Sequence, residues 1–469
     1  ARGKSGWKRV SWDESTELVA AAQIYTIKKY GADHMANFSP IPAMSLLSFI
    51  SGHRYNNLLG GIYCSYYEWY HDLPHNSPSM FGDQTENCES SDWYLGTYWI
   101  VAGSNINMTR TADAHFVSEA KYRGSKIVVM SPNYSDVTKY ADTWVPVVPG
   151  SDGAFLMACI HVILKEFYVD KETPYFTDYV KQYTNLPFLV ILEKDGSKYQ
   201  MGRFLRASDI EQYSKEENAD WKLIMTDGEG ELHIPTGSIG FRWEKEPTGN
   251  WNLQLKNAVT KKEFDPLLSL LKNDEQKATV SFSDFTDTFN INIGQTNGKG
   301  NKAKEILREV PAKKIKTKDG KELLVTTAFD LTMAQAGVSR GLKGDYPKDY
   351  NDPKPYTPAW QESQTGVSKD LAIQIGREFA ENAEKTKGKS LFITGPGVQH
   401  FYHGASLYYR NMAVMTALCG CNGVNGGNFN HYVGTQHTRL NAAFVNMSGA
   451  LDWQRPPRLM NSTSLWYFQ

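Results

Sequence analysis

Short apolar runs alternate with helical stretches in two separate parts of this chain. That alternation limits the fold more than any other feature. Tyr98-Trp99-Ile100-Val101-Ala102 is one such run; it ends at the turn Gly103-Ser104-Asn105, and a helix over 111–122 follows. Lys126-Ile127-Val128-Val129-Met130 is the next, stopping at Ser131-Pro132-Asn133. A short strand over 144–147 leads to Gly150-Ser151-Asp152, which opens a helix carrying Phe155, Leu156, Ile160, Ile163 and Leu164. The same order resumes late in the chain. A helix over 368–380 has Ser368 as N-cap, and the strand Ser390-Leu391-Phe392-Ile393-Thr394 follows. The turn Gly395-Pro396-Gly397 then precedes a helix over 405–418 and the glycine-dense stretch 420–427. Strands alternating with helices imply right-handed βαβ units on a parallel sheet. The expected fold class is α/β, with Rossmann-like units whose ligands bind at the carboxyl ends of the strands.

Three of these strands end in glycine-bearing turns: Gly103-Ser104-Asn105, Gly150-Ser151-Asp152 and Gly395-Pro396-Gly397. Each can bring backbone N–H groups close to a phosphate, and the next helix N-terminus adds its dipole. None has the spacing of an ordinary dinucleotide fingerprint or a P-loop. Three such turns in one chain favour a large nucleotide-containing cofactor.

The rest of the chain divides by composition. Ser11-Trp12-Asp13-Glu14 is a capping box that starts a helix running to Gly31; a short strand over 35–38 and a helix over 43–49 are expected next. Residues 193–324 are rich in Lys, Glu, Gly and Asn and imply an exposed insertion of hairpins and loops. Acidic residues interleave the lysines of 299–321, so that stretch is solvated surface and not a nucleic-acid site. The expected domains are 1–93; 94–192, a first unit with cofactor-binding turns; the 193–324 insertion; and 325–469, a second α/β cofactor-binding region.

Size and charge exclude other classes. The 469 residues are 41% hydrophobic and 22% charged with net charge −1, so nothing global draws the chain to nucleic acid or an anionic membrane. No apolar run reaches the roughly 20 residues a membrane helix needs, and no signal peptide opens the sequence. The five cysteines, Cys64, Cys88, Cys159, Cys419 and Cys421, form neither a disulfide framework nor an iron–sulfur motif and read as buried or incidental thiols.

Chemistry concentrates in Tyr70-His71-Asp72-Leu73-Pro74-His75-Asn76-Ser77-Pro78. The prolines stiffen this loop, and a single carboxylate in a stiff, aromatic-crowded loop suits a hard, high-valent metal. Its surroundings resemble the molybdenum-binding segment of the catalytic alpha subunits of respiratory nitrate reductases and nitrite oxidoreductases, within the dimethyl sulfoxide reductase superfamily. Residues 39–45, Thr109-Arg110-Thr111-Ala112-Asp113-Ala114-His115-Phe116, 175–180, 237–243 and Leu451-Asp452-Trp453-Gln454-Arg455-Pro456 carry the same likeness.

The resemblance implies molybdenum held by bis(molybdopterin guanine dinucleotide), with Asp72 as its protein ligand. It implies cofactor contacts from Gly103, Ser104, Asn105, Pro132, Asn133, Gly150, Ser151, Asp152, Gly395, Gly397, Gln399 and His400. His71, His75 and Arg110 would act at the reacting centre, with His53 and Arg54 also able to offset a small anion's charge. The implied reaction interconverts nitrite and nitrate by two-electron oxygen-atom transfer. His75 after Pro74, and Ser79-Met80-Phe81-Gly82-Asp83-Gln84, depart from the nitrate reductase pattern and lean toward nitrite oxidation; nitrate reduction is the alternative.

Family members also carry a 4Fe-4S cluster in an N-terminal part and a C-terminal domain, so the chain is expected to be a fragment. The implied partners are an iron–sulfur beta subunit and, through it, a membrane or haem gamma subunit. The complex would be membrane-associated, periplasmic if nitrite-oxidising or on the cytoplasmic face if nitrate-reducing. Two rival readings differ in class. One is a zinc hydrolase built on His71-Asp72-x-x-His75, which Pro74 disfavours. The other is a non-catalytic scaffold of the same fold.

Overall fold

The apolar runs become the strands of one parallel sheet. In the computed structural model, which describes residues 9–38, 46–64, 80–81, 90–109, 111–237, 239–242, 244, 253–271, 276–284, 286, 304–395 and 405–431, the chain starts with α1 (Trp12–Tyr30). Its capping box is formed: Ser11 Oγ accepts from the Glu14 N–H at 3.1 Å, and Glu14 Oε2 accepts from the Ser11 N–H at 2.9 Å. The helix stops at Gly31, whose φ of 106° suits a residue without a side chain. Strand β1 (Ala36–Phe38) pairs in parallel with β2 (Ile62–Cys64), and α2 (Leu46–Leu59) connects them. That helix runs ten residues beyond the end of the sequence expectation of 43–49, because no proline follows before Gly60 to stop it; residues 43–45 lie outside the described residues.

The central sheet holds β3 (Tyr98–Ala102), β4 (Lys126–Met130), β5 (Thr143–Val145), β11 (Ser390–Thr394) and β12 (Phe429–His431) in the order β12-β11-β3-β4-β5. All four pairings are parallel. Side chains alternate across it. Trp99, Val101, Ile127, Val129, Leu391 and Ile393 face α3 (Ala114–Tyr122) through Val117 and Ala120. Tyr98, Ile100, Val128, Met130 and Phe392 face the opposite layer of α4 (Asp152–Ile163), α8 (Lys369–Thr386) and α9 (Ala405–Leu418). All 12 residues of α4 are buried, as expected of a helix apolar on every side. Helices α7 (Pro358–Thr365), α8 and α9 surround it.

Residues 193–324 carry more than exposed hairpins. Strands β6 (Leu189–Asp195), β7 (Lys198–Phe204), β8 (Gln276–Ser283), β9 (Glu305–Lys316) and β10 (Glu322–Thr327) close into a barrel in the order β8-β9-β10-β6-β7. Closure removes the edges that an open sheet would leave unpaired. Val190, Leu192, Val280, Phe282, Ile306 and Val310 join the main core, while Ile191, Ile315 and Val325 face a second cluster with Leu205, Tyr213, Ile224 and Ile234.

Two hydrogen-bonded devices lock these parts together. Arg308 on β9 is fully buried and donates to four backbone carbonyls: Ala334 at 2.6 Å, Gln335 at 3.1 Å, Pro355 at 2.6 Å and Asp345 at 3.1 Å. The first two lie at the carboxyl end of α6 (Ala328–Ala336), where a cation also meets the favourable end of the helix dipole. Beyond α9, the hydroxyls of Tyr168, Tyr175 and Tyr179 donate to the carbonyls of Leu418, Gly420 and Asn422 at 2.6, 2.7 and 2.9 Å. Cys419 and Cys421 sit between these rungs, and burial pushes both thiols far above their usual range, so they are inert packing groups.

Arg308→Met keeps the stem but removes the guanidinium donor from four backbone carbonyls, of which Ala334 retains the Gly337 N–H. We expect a loss of about 3 kcal/mol in folding stability, read as a lower urea midpoint at unchanged slope. A midpoint equal to that of the parent protein would show that the guanidinium does not hold barrel and helix together.

Candidate cofactor-binding site

Because the five central strands are parallel, the turns that follow them gather on one edge. From β3 the chain passes through α3 to β4, on one face and toward one side. From β11 it passes through α9 to β12, on the other face and toward the other side. The connections diverge between β3 and β11, and such a divergence opens a crevice at the carboxyl ends.

The two turns flanking that crevice lie back to back. The Gly395 N–H donates to the Ala102 carbonyl at 3.3 Å. A Cβ on Gly395 would stand 2.8 Å from the Gly103 carbonyl oxygen and 3.3 Å from Ser104 Cβ, so no side chain fits there. Gly103 itself has φ 63°, in the region that favours glycine. Ser104 Oγ and Thr394 Oγ1 are buried beside this contact, each without a hydrogen-bond partner among the described residues. Buried hydroxyls are ordinarily satisfied. Two such hydroxyls on neighbouring strand ends leave hydrogen-bonding capacity at this edge that a polar ligand could use. Thr394 is absent from the sequence-derived set because it reads as the last residue of a strand; its hydroxyl on the edge was the only signal.

The other two turns are shaped by their neighbours. Asn105 Oδ1 accepts from the Val137 N–H at 3.0 Å, tying the turn after β3 to the loop after β4. In that loop Ser131 Oγ donates to the Asn133 carbonyl at 2.8 Å, and Trp144 Nε1 donates to the Ser131 carbonyl at 3.0 Å. Pro132 and Asn133 are left exposed on the rim. After β5, Gly150 turns with φ 88° and its carbonyl accepts from the Tyr408 hydroxyl. Ser151 is fully buried, its Oγ donating to the Val148 carbonyl at 2.6 Å. Asn411 Nδ2 donates to the Gly153 carbonyl at 3.1 Å. Tyr408 and Asn411, also absent from the sequence-derived set, thus hold the start of α4 in place from α9.

Asp152 is the first residue of α4 and is 7% exposed. Among the described residues it forms no ion pair. Burial pushes its carboxyl up to about 6, against the partial positive charge of the helix N-terminus. A buried carboxylate acceptor at this edge matches a heterocyclic base that offers ring N–H and amine donors. Paired glycine turns, two unsatisfied hydroxyls and this carboxylate therefore fit a ligand that carries both phosphate and a base.

Not every candidate falls within the structure. His71, Asp72, His75, Arg110, Gly397, Gln399 and His400 lie outside the described residues, as do residues 39–45 and 432–469. Arg54 is exposed on α2. Among the described residues, no group of three or more His, Cys, Asp or Glu side chains is placed to hold a metal.

The titration of Asp152 is directly measurable. A carboxyl ordinarily near 3.8 is held near 6 in the fold, so the folded state binds its proton more tightly than the unfolded chain. Stability then falls as pH rises from about 4 to about 6 and is level above that. In cofactor-free protein, Asp152→Asn should abolish that slope and add about 3 kcal/mol at neutral pH. Identical pH–stability profiles for the two proteins would remove Asp152 as the source.

Comparison with known proteins places this edge in context. Residues 2–464 match the molybdopterin oxidoreductase family. The chain is 45% identical over 473 residues to the respiratory nitrate reductase 1 alpha chain of Escherichia coli (strain K12), covering 100% of this chain and 37% of that one. It is 43% identical to the nitrate reductase alpha chain of Bacillus subtilis (strain 168), again covering 100% and 37%. It is 45% identical to the nitrate reductase alpha subunit of Mycobacterium tuberculosis (strain CDC 1551 / Oshkosh), covering 100% and 36%. The chain thus spans a little over a third of the length of these relatives. With a match over nearly all its residues, the chain belongs to the molybdopterin oxidoreductase family.

Proposed function

We propose that this chain forms the cofactor-holding part of a molybdenum enzyme that interconverts nitrate and nitrite. The observation that carries the proposal is the back-to-back Gly103 and Gly395 contact, with the orphaned Ser104 and Thr394 hydroxyls beside it. It is a cradle for a phosphate-bearing cofactor at the divergence point of the sheet. Gly103, Ser104, Asn105 and Gly395, with Gly397, Gln399 and His400, would hold one guanine dinucleotide arm by backbone and hydroxyl donors. Gly150, Ser151 and Asp152, with Pro132 and Asn133 on the rim, would receive its base. Asp72 would be the protein's oxygen ligand to the metal. When bound, the molybdenum supplies a two-electron oxygen-atom transfer, cycling between +4 and +6.

The chain's own residues supply the rest. A small monovalent anion must leave water, and cationic side chains offset that cost. Arg110, His71 and His75 are assigned to this role, and His53 and Arg54 are further candidates for it. The Pro74-His75 step and the 79–88 stretch support nitrite oxidation; the names of the relatives support nitrate reduction. Oxygen-atom transfer uses the same groups in both directions, so one set of residues serves either.

The relatives' designation as alpha chains supports a complex with further subunits. We assign an iron–sulfur beta subunit as the immediate electron partner, with a membrane or haem subunit beyond it and an associated 4Fe-4S cluster. Among the described residues no helix is long and apolar enough to cross a membrane, so attachment would run through those partners.

Two substitutions in the full-length enzyme test the proposal. Asp72→Ala should lower both nitrate reduction and nitrite oxidation by at least about 100-fold; undiminished turnover in both directions would strip Asp72 of its role. Gly395→Val, which drives a side chain onto the Gly103 carbonyl, should lower bound molybdenum and pterin in the purified protein. Zinc in place of molybdenum in the parent enzyme would favour a hydrolase instead.

A further inference from the structure

The cofactor cradle leaves one cavity unused. It lies between the barrel wall and helices α4, α6 and α9 and measures about 550 Å³, a usual size for a small-molecule pocket. Met157, Ile160, Phe204 and Leu331 give it an apolar wall. Gln335 lines the same cavity, and its Nε2 is buried without a hydrogen-bond partner among the described residues.

Its mouth is cationic and held in shape. Opposite Ile191, β7 carries two residues, Gly202 and Arg203, where the register with β6 shifts. That is a β-bulge, a device that re-aims a side chain. A Cβ on Gly202 would stand 2.9 Å from the Ile191 carbonyl oxygen, so the bulge has no room for one. Arg203 is clamped by Asp209 through two bonds of 2.7 Å. Arg206 stands beside it and forms no ion pair among the described residues. Both arginines line the cavity and also an adjoining polar cleft of mixed charge, where Lys318 and Lys321 stand with Asp209, Asp220 and Asp319.

A purely apolar guest would fill the wall and leave Arg206 and the Gln335 N–H unanswered. We propose that this cavity binds an amphiphile with a single carboxylate head: the chain lies against Met157, Ile160, Phe204 and Leu331, and the head meets Arg206 at the mouth. The Gln335 amide supplies one donor to an oxygen of the guest. Asn411 lines this cavity and also holds the start of α4 at the cofactor edge, but the proposed contacts use none of the cradle's own residues, and the site stands whether or not the nitrate reading holds.

Calorimetric titration of the full-length, cofactor-loaded protein with dodecanoate, dodecanol and dodecylammonium, each below its micelle concentration, tests this. We expect one saturable site that takes dodecanoate at least about tenfold more tightly than dodecylammonium. Arg206→Gln should weaken dodecanoate by about tenfold and leave dodecanol unchanged. Thr332→Phe, which fills the cavity from a half-buried wall position, should abolish binding of all three. Neither change touches the cofactor edge, so nitrate and nitrite turnover should be preserved. No saturable dodecanoate site, equal affinity for the ammonium, or an Arg206→Gln protein with unaltered dodecanoate affinity would each overturn the proposal. Should Thr332→Phe fail to fold, Arg206→Gln, at a surface mouth, decides the matter alone.

Discussion

The approach of β3 to β11 is the constraint on which the functional edge depends. Five register pairs bring Ser390 through Thr394 alongside Tyr98 through Ala102. Only that pairing sets the Gly103 and Gly395 turns against each other and leaves two hydroxyls facing the crevice. A slip by one residue would send Phe392 to the other face and remove the contact altogether. The two-sided burial of the sheet prevents such a slip, because α3 and the α4–α8–α9 layer each need their own set of apolar side chains.

Much of this sheet is legible in the chain itself. Strands β3, β4 and β11 are continuous runs of apolar side chains bounded by turn residues, and α9 fills the span its periodicity implies. Both helix starts assigned to serines, Ser11 and Ser368, are formed as caps. The glycine turns stand out because a strand followed by Gly carries a local signal. Their mutual contact does not, since it joins residues nearly three hundred positions apart.

The barrel is the opposite case. In β9 the sequence Glu305-Ile306-Leu307-Arg308-Glu309-Val310 mixes charge with apolar residues, and later residues read as a lysine-rich surface. Its strands are half-buried on one side, and β7 meets β8 across more than seventy residues. Composition over 193–324 therefore points to loops, whereas closure is a non-local property. Arg308 shows the same limit. An arginine in such a stretch is usually solvated, and its burial is intelligible only once the carbonyls of α6 and Pro355 surround it. Thr394, Tyr408 and Asn411 were hidden for a like reason: each acts on a group that folding alone brings near.

The wholly buried α4 has a consequence for how the protein is made. Its coverings, α7, α8 and α9, emerge from the ribosome some two hundred residues after it. Thr97 finds Asn382 and the Lys389 carbonyl only across 285 and 292 positions. Until then a nascent chain exposes a largely apolar helix and an incomplete sheet, the kind of surface that chaperones shield. The contact between the Gly103 and Gly395 turns does not exist before that late closure, so the edge between β3 and β11 is among the last parts of the sheet to form.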